Sequence, residues 1–415
     1  MKGLGGGGIL GYCTNVHPTT SAQEVLQMIR TECLQVKTRI DPAVNFGIGL
    51  WLSSARLSEF QSPELLNSLK NECQNSGIQV FSWNAFPYLD FHQEVVKEKV
   101  YLPDWTEQSR VNYTLDLMDF TARLGLGTQE VSISTLPVAG KSLSLKDPAL
   151  RLVVENLVEV ILKSVEIEEA YGISVHLDLE PEPFCFLETS QDAVRFFKEY
   201  LLPGGSSRLE NQLGISHTAA EELILNKIRI CYDTCHAAVM FETPATVLGN
   251  YDKLGIRIGK VQISSGLVFR PDRRGETQSF SLHQLSESYK VLKELSLDRY
   301  LHQVVGKDSK DRMEFHPDLK YALLAWEKNS TIPMDEYRIH YHVPVFMERL
   351  TALNTTQHHI LELLDLARTR EITNHWEVET YTWSVLPSFY RKGNLPELIA
   401  QEINWVNEMS QRDLP

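Results

Sequence analysis

Four strand-like runs in this chain end in side chains that can hold a cation or move a proton. "VHLDLEPEP" (175–183) closes on Glu180 before a proline. "CYDTCH" (231–236) offers Asp233 and, three residues on, His236. "KVQISSG" (260–266) carries Gln262, and "HWEVETYTW" (375–383) carries Glu377, Glu379 and Tyr381. Side chains alternate across a strand, so His176, Asp178 and Glu180 share one face while Val175, Leu177 and Leu179 share the other. Three polar groups in a row toward an interior are costly unless they are paired or bind a metal. Asp233 admits two readings: ligand to a divalent cation, or N-cap of the next helix with His236 in its first turn. Gln262 taken alone is an ordinary polar strand residue, and its amide oxygen is a neutral, hard donor. Glu379 lies nearer the C-terminal end of its strand than Glu377 and is the preferred ligand of the two. Oxygen-rich ligation with one or two nitrogens suits Mn²⁺, Mg²⁺, Co²⁺ or Zn²⁺.

These groups meet only if the strands that carry them are parallel and closed into a ring. Further strand-like runs occur at 11–16, 46–52, 78–86, 128–134 and 337–345, and amphipathic helical patterns separate them. The helical patterns fall near 25–36, 107–124, 147–171, 190–201, 219–228, 281–295, 355–369 and 395–409, the first behind a Ser21/Glu24 capping box. Alternation of this kind implies βαβ units, and eight of them predict an α/β fold, a (β/α)8 TIM barrel with its chemistry at the C-terminal strand ends. No GxGxxG follows the first strand, which disfavours a doubly wound dinucleotide fold. Roughly 110 residues separate "KVQIS" from "HWEVETYTW", where one helix needs about 30 to 40. An insertion at about 266–350, between strands 7 and 8, fills that gap. It is expected as an elaboration of one barrel domain, 11–415, behind a flexible Gly-rich lead-in, 1–10.

Other residues at the expected mouth suit a hydroxylated substrate: Asn15 and His17 after the first strand, Trp83 and Asn84 on the third, Ser134 on the fourth. The inserted "YRIHYHVPV" puts His340 and His342 on one face, either leaning over the mouth or forming a polar strand face. His302 is a weaker candidate. "FRPDRRG" clusters Arg270, Arg273 and Arg274, able to clamp a phosphate or carboxylate or to stand as a solvated loop.

The chain of 415 residues has a formal charge of −14 and a pI near 5.4. Such a balance opposes nonspecific nucleic-acid binding, and no nucleic-acid partner is expected. No apolar run reaches the ~18 residues of a membrane span. The N-terminus lacks a secretory h-region, and a cytoplasmic location is expected. Six scattered cysteines without a CxxC are expected as reduced thiols.

The motifs "LEPEP", "DTCH", "KVQIS" and "EVETYTW" resemble the xylose-isomerase-like TIM barrel superfamily, which includes sugar isomerases, ketose epimerases and endonuclease-IV-type enzymes. The stretches "YCTNVHP", "HYHVPVF" and "VETYTWSVLP" are closest to the EboE proteins, tied to metabolite-traffic gene clusters. The resemblance implies a divalent metal on Glu180, Asp233 and Glu379, with Gln262 standing where the superfamily usually has His and His342 as a replacement ligand. It implies Glu180 and Glu379 as acid–base pair, aided by His236, with His236, His340, Asn15, Trp83, Asn84, Arg270 and Arg273 binding substrate. The function it implies is isomerase or epimerase chemistry on a small polyhydroxy-carbonyl or sugar-phosphate metabolite. A metallo-phosphodiesterase and a non-catalytic metabolite carrier stand as alternatives, and a homo-oligomer or partner proteins of a pathway remain open.

Overall fold

The computed structural model describes residues 8–90, 97–125, 129–141, 143–144, 148–271, 287–297, 300–329, 332–386 and 390–412. Eight parallel strands close on themselves: β1 (Ile9–Cys13), β2 (Phe46–Trp51), β3 (Ile78–Asn84), β4 (Glu130–Thr135), β5 (Ser174–Leu179), β6 (Ile228–Asp233), β7 (Ile258–Ile263) and, after the insertion, β14 (His375–Val378). Their order around the ring is β1-β14-β7-β6-β5-β4-β3-β2. This is the expected (β/α)8 barrel. Helices cover the outer faces because each strand turns its apolar residues outward. On β5, Val175, Leu177 and Leu179 are buried on that side, while His176 and Asp178 are buried inside the ring. The helix Ala149–Tyr171 answers with Leu150, Val153, Leu157, Val160 and Ile161, all buried. Removing this apolar surface from water, at about 25 cal/mol per Å², is the main force that closes the barrel.

Local signals agree with the pattern in most places. β1 opens at Ile9, inside the stretch expected as a lead-in. Ser21 accepts from the Glu24 amide, but the Glu24 carboxylate reaches back to Thr20, so the capping box is half formed and shifted by one residue. Helices Ser54–Glu59, Pro63–Ser76 and Pro244–Asp252 were not among the expected ones. Of the expected helix at 281–295, the described part is Glu287–Leu295. The six cysteines are free and buried. Among the described residues no helix is long and apolar enough to cross a membrane.

The barrel interior is polar and needs space. A Cβ on Gly49 would sit 2.2 Å from the Glu377 Oε1, and one on Gly259 would sit 2.0 Å from the Asp178 Oδ1. These glycines are gaps in the wall that interior carboxylates fill.

The insertion forms a second sheet, all antiparallel, in the order β10-β9-β11-β8-β13-β12. Its strands are β8 (Ser265–Phe269), β9 (Val304–Lys307), β10 (Met313–His316), β11 (Glu336–Val343), β12 (Arg349–Leu350) and β13 (Leu353–Thr355). Only Ser264 separates β7 from β8. The pairing of β11 with β8 shifts register between Ile339 and Val343. Such an irregularity re-aims the side chains within it, here His340, Tyr341 and His342.

Candidate metal centre

Three strand ends deliver carboxylates to one place. Glu180 follows β5, Asp233 ends β6 and Glu379 follows β14. One oxygen from each lies within 4.8 Å of the others, and all three side chains are buried. Asp233 is the N-cap that one of its sequence readings expected. Its Oδ1 accepts from the His236 amide at 2.9 Å, capping the helix Thr234–Val239, and from Ser264 Oγ at 2.7 Å. Its Oδ2 has no hydrogen-bond partner, and neither has Glu180 Oε2. Glu379 Oε1 accepts from Asn15 Nδ2 at 2.7 Å and from Asn84 Nδ2 at 3.1 Å. Two amide donors, one after the adjacent strand β1 and one at the end of β3, thus fix its orientation.

Three imidazoles close the other side. His236 Nε2 lies 3.1 Å from His340 Nε2, which lies 3.2 Å from His342 Nε2. Each ring's Nδ1 faces an oxygen that only accepts: Pro181 O for His236 at 3.2 Å, Gln303 Oε1 for His340 at 2.7 Å and Glu379 O for His342 at 2.9 Å. The partners assign the ring proton to Nδ1 in all three, so three Nε2 lone pairs converge with no proton between them. Burial holds the rings neutral: it pushes His236 down to about 4, lowers His342, and with the neighbouring imidazoles holds His340 well below the usual range. Converging lone pairs beside partnerless carboxylate oxygens form a donor set suited to a divalent cation.

The carboxylates respond to burial and to each other. Burial first, then Glu379 and Asp233, push Glu180 well above the usual carboxylate range. Burial and Asp233 push Glu379 up to about 8. Burial also opposes ionisation of Asp233, but His236, His342 and its donors outweigh it and Asp233 stays low. Beneath the cluster, Lys260 Nζ bonds Ser134 Oγ at 2.8 Å and lies 3.4 Å from Glu377 Oε2, with both charged groups fully buried. Glu377 therefore serves the barrel interior, and Glu379 the mouth.

A cavity of about 110 Å³ opens beside the cluster, lined by Glu180, Glu182, His236, His340, His342 and Glu379 together with Asn15, Asn84, Phe86, Tyr101, Tyr300 and Tyr381. No lysine or arginine is among its described lining residues. Several expected residues lie elsewhere. Gln262 is buried in the barrel and its Oε1 accepts from Cys231 Sγ at 2.8 Å, so that oxygen is engaged away from the cavity. Trp83 faces outward onto Phe120, ring centroids 5.7 Å apart. A register shift between β2 and β3 leaves Ser82 and Asn84 inside and Trp83 outside. Arg270 is exposed and paired with Glu336 at 2.6 Å, while Arg273 and Arg274 lie outside the described residues. His17 bonds Tyr12 at 3.0 Å, away from the cavity.

Other residues join the site without having been expected there. Glu182 accepts from Tyr101 at 2.8 Å and Gln303 at 2.9 Å, and burial pushes it up to about 7. The second Glu of "EPEP" was the available signal. Lys260 shares a strand face with Gln262, so alternation alone could have placed it inside.

No protein-family model and no curated protein matches the chain. Solved structures resemble it remotely. A xylose isomerase-like TIM barrel protein from Mycobacterium smegmatis, in complex with magnesium, is 12% identical over 97% of this chain and 96% of that one, with a TM-score of 0.44. The IOLI protein with a bound zinc atom is 13% identical over 97% of both chains, also at 0.44. An L-ribulose 3-epimerase is 12% identical over 97% and 94%, at 0.43. The chain's own closed strand order makes it a (β/α)8 barrel.

Proposed function

We propose that this chain is a metal-dependent isomerase or epimerase acting on a small polyhydroxy-carbonyl metabolite. The carrying observation is the pair of buried, partnerless oxygens, Glu180 Oε2 and Asp233 Oδ2, in a cluster with Glu379. Glu180, Asp233 and Glu379 would hold the ion, with His342 and His236 beside them. Bound, a divalent ion polarises a substrate carbonyl and its neighbouring hydroxyl, which acidifies the proton on the carbon between them. Glu180 and Glu379 reach the cavity from different strands, placing a carboxylate on either side of that carbon. One takes the proton, the C–H electron pair becomes the carbon–carbon double bond of an enediolate as the carbonyl π pair moves onto oxygen, and the other returns a proton to the opposite face. Asn15 and Asn84 hold Glu379 in place during this exchange, and Tyr101, Tyr300 and Tyr381 exclude water. The likeness of "YCTNVHP" and "HYHVPVF" to EboE proteins supports a place in a metabolite-biosynthesis or traffic pathway.

Incubation with Mn²⁺ and a panel of ketoses and cyclic hydroxyketones in D₂O tests this reading. Deuterium is expected on the α-carbon of at least one compound, and lost in Glu180→Gln and Glu379→Gln. No exchange by the wild type across the panel overturns it. The converging imidazoles favour a second reading, a metallo-phosphodiesterase. Zinc-dependent hydrolysis of bis(p-nitrophenyl) phosphate, abolished by His340→Ala, would replace the first reading with this one. Binding without turnover, insensitive to both Gln replacements in cells, would mark a carrier.

A further inference from the structure

The floor of the barrel carries a second set of donors, at the opposite end from the mouth. Glu130 begins β4, His375 begins β14, and His176 is the third residue of β5. One donor atom from each lies within 4.8 Å of the other two. His176 and His375 are buried, their rings 5.3 Å apart at 75°, and Phe81 stacks on His375 at 5.7 Å.

The ring protons are assigned by their partners. His176 Nδ1 lies 2.6 Å from Asp178 Oδ1, and the other oxygen of that carboxylate is held by Ser132 Oγ at 2.5 Å. His176 Nδ1–H donates to Asp178, which keeps the ring proton on Nδ1 and leaves Nε2 with its lone pair. His375 Nε2 faces the Glu130 carbonyl at 3.4 Å, which can only accept, so His375 Nδ1 is bare. His176 Nε2 and His375 Nδ1 are both buried without a hydrogen-bond partner. A histidine that gives one ring proton to a carboxylate and turns the other nitrogen, bare, toward a second histidine and a carboxylate has the arrangement of a metal ligand with its supporting carboxylate. Arg229 Nη1 holds Glu130 at 2.8 Å. Burial and the neighbouring cations, Arg229 first, hold His176 well below the usual range, so it stays neutral and able to donate its lone pair. Glu130 and Arg229 also line a polar cavity of about 420 Å³ with Asp252, Arg257, Arg370, Thr373 and Asn374, so the carboxylate of the trio borders open space while the two imidazoles lie behind it.

We infer that the barrel floor is a zinc-class metal site formed by Glu130, His176 and His375, independent of the mouth. Two neutral imidazoles and one carboxylate suit Zn²⁺, and the ion would tie β4 and β5 to β14 across the ring. The test uses the full chain, stripped with chelator and returned to Zn²⁺. Anomalous diffraction from zinc-soaked wild-type crystals should show a peak flanked by Glu130, His176 and His375. Elemental analysis should find one zinc fewer per chain in His375→Phe than in its parent, and in Glu130→Gln a site that empties at lower chelator concentration. Glu180→Gln should leave the floor peak in place, whatever it does at the mouth. A wild-type crystal without a floor peak overturns the inference even if His375→Phe fails to fold, and so does an unchanged zinc count in a folded His375→Phe.

Discussion

Glu180→Gln is the most informative change at the mouth. Three full charges with oxygens within 4.8 Å of one another form three pairs. Each pair is worth about 3.5 kcal/mol at an effective dielectric near 20, so a fully ionised cluster carries on the order of 10 kcal/mol of repulsion. That equals the whole stability of a typical domain. The chain must answer with protons, as the upward shifts of Glu180 and Glu379 indicate, or with a cation. In metal-free protein, Gln at 180 replaces a group that burial and the neighbouring Glu379 and Asp233 push toward its neutral form, so stability should change by less than about 1 kcal/mol. With ion at 100 times its Kd, the wild type should gain about 2.7 kcal/mol. An unfolding entropy of about 2.1 cal/mol/K per residue makes that roughly 3 °C in Tm for 415 residues. Glu180→Gln removes a charged ligand and should lose most of that rise at the same ion concentration. Thermal unfolding with and without Mn²⁺ or Zn²⁺ reads both arms. The reasoning fails if no divalent ion raises the wild-type Tm and Glu180→Gln still loses several degrees without metal, because internal contacts would then hold the cluster.

Three further outcomes follow from the interior. Lys260→Met leaves Glu377 buried and unpaired and should cost about 3 to 5 kcal/mol in urea unfolding, while the pair Lys260→Met/Glu377→Leu should recover most of it. Gly49→Ala drives a methyl toward Glu377 and should cost about 1 to 3 kcal/mol by the same measurement. Burial and nearby charges push His359 down to about 3, and its Nε2 is bonded to Tyr232 at 2.7 Å. A depressed histidine contributes stability that is complete above the unfolded value near 6.5 and is lost as pH falls toward 3. By pH 5 the loss should be about 2 kcal/mol, and His359→Gln should flatten the slope of stability between pH 6.5 and 4.

The barrel was legible because its strands alternate so plainly: Val175, Leu177 and Leu179 against His176, Asp178 and Glu180 leaves one answer for which face meets the helices. The short helices Ser54–Glu59 and Pro244–Asp252 were less legible because so few turns carry little periodic signal. Trp83 and Gln262 show where strand logic stops. Alternation says which face a residue takes only while register is kept, and the shift between β2 and β3 turns Trp83 outward. Gln262 keeps the inward face, but its depth in the ring and the nearby Cys231 decide what its oxygen meets. The tyrosines of the cavity wall, Tyr101 and Tyr300, come from segments with no strand pattern, and only three-dimensional folding brings them there.

The join at Ser264 has a consequence for how this molecule can be altered. Because β7 passes into β8 across a single residue, the accessory sheet has no tether on which to swing, and a strand of the barrel steers it directly. His340 and His342 ride on that sheet, next to β8. A barrel from which the sheet was excised, with β7 led straight on to the helix before β14, would keep its acidic trio and lose two of its three imidazoles. A graft onto another barrel would have to carry β7 along with the sheet to set those rings at the right height.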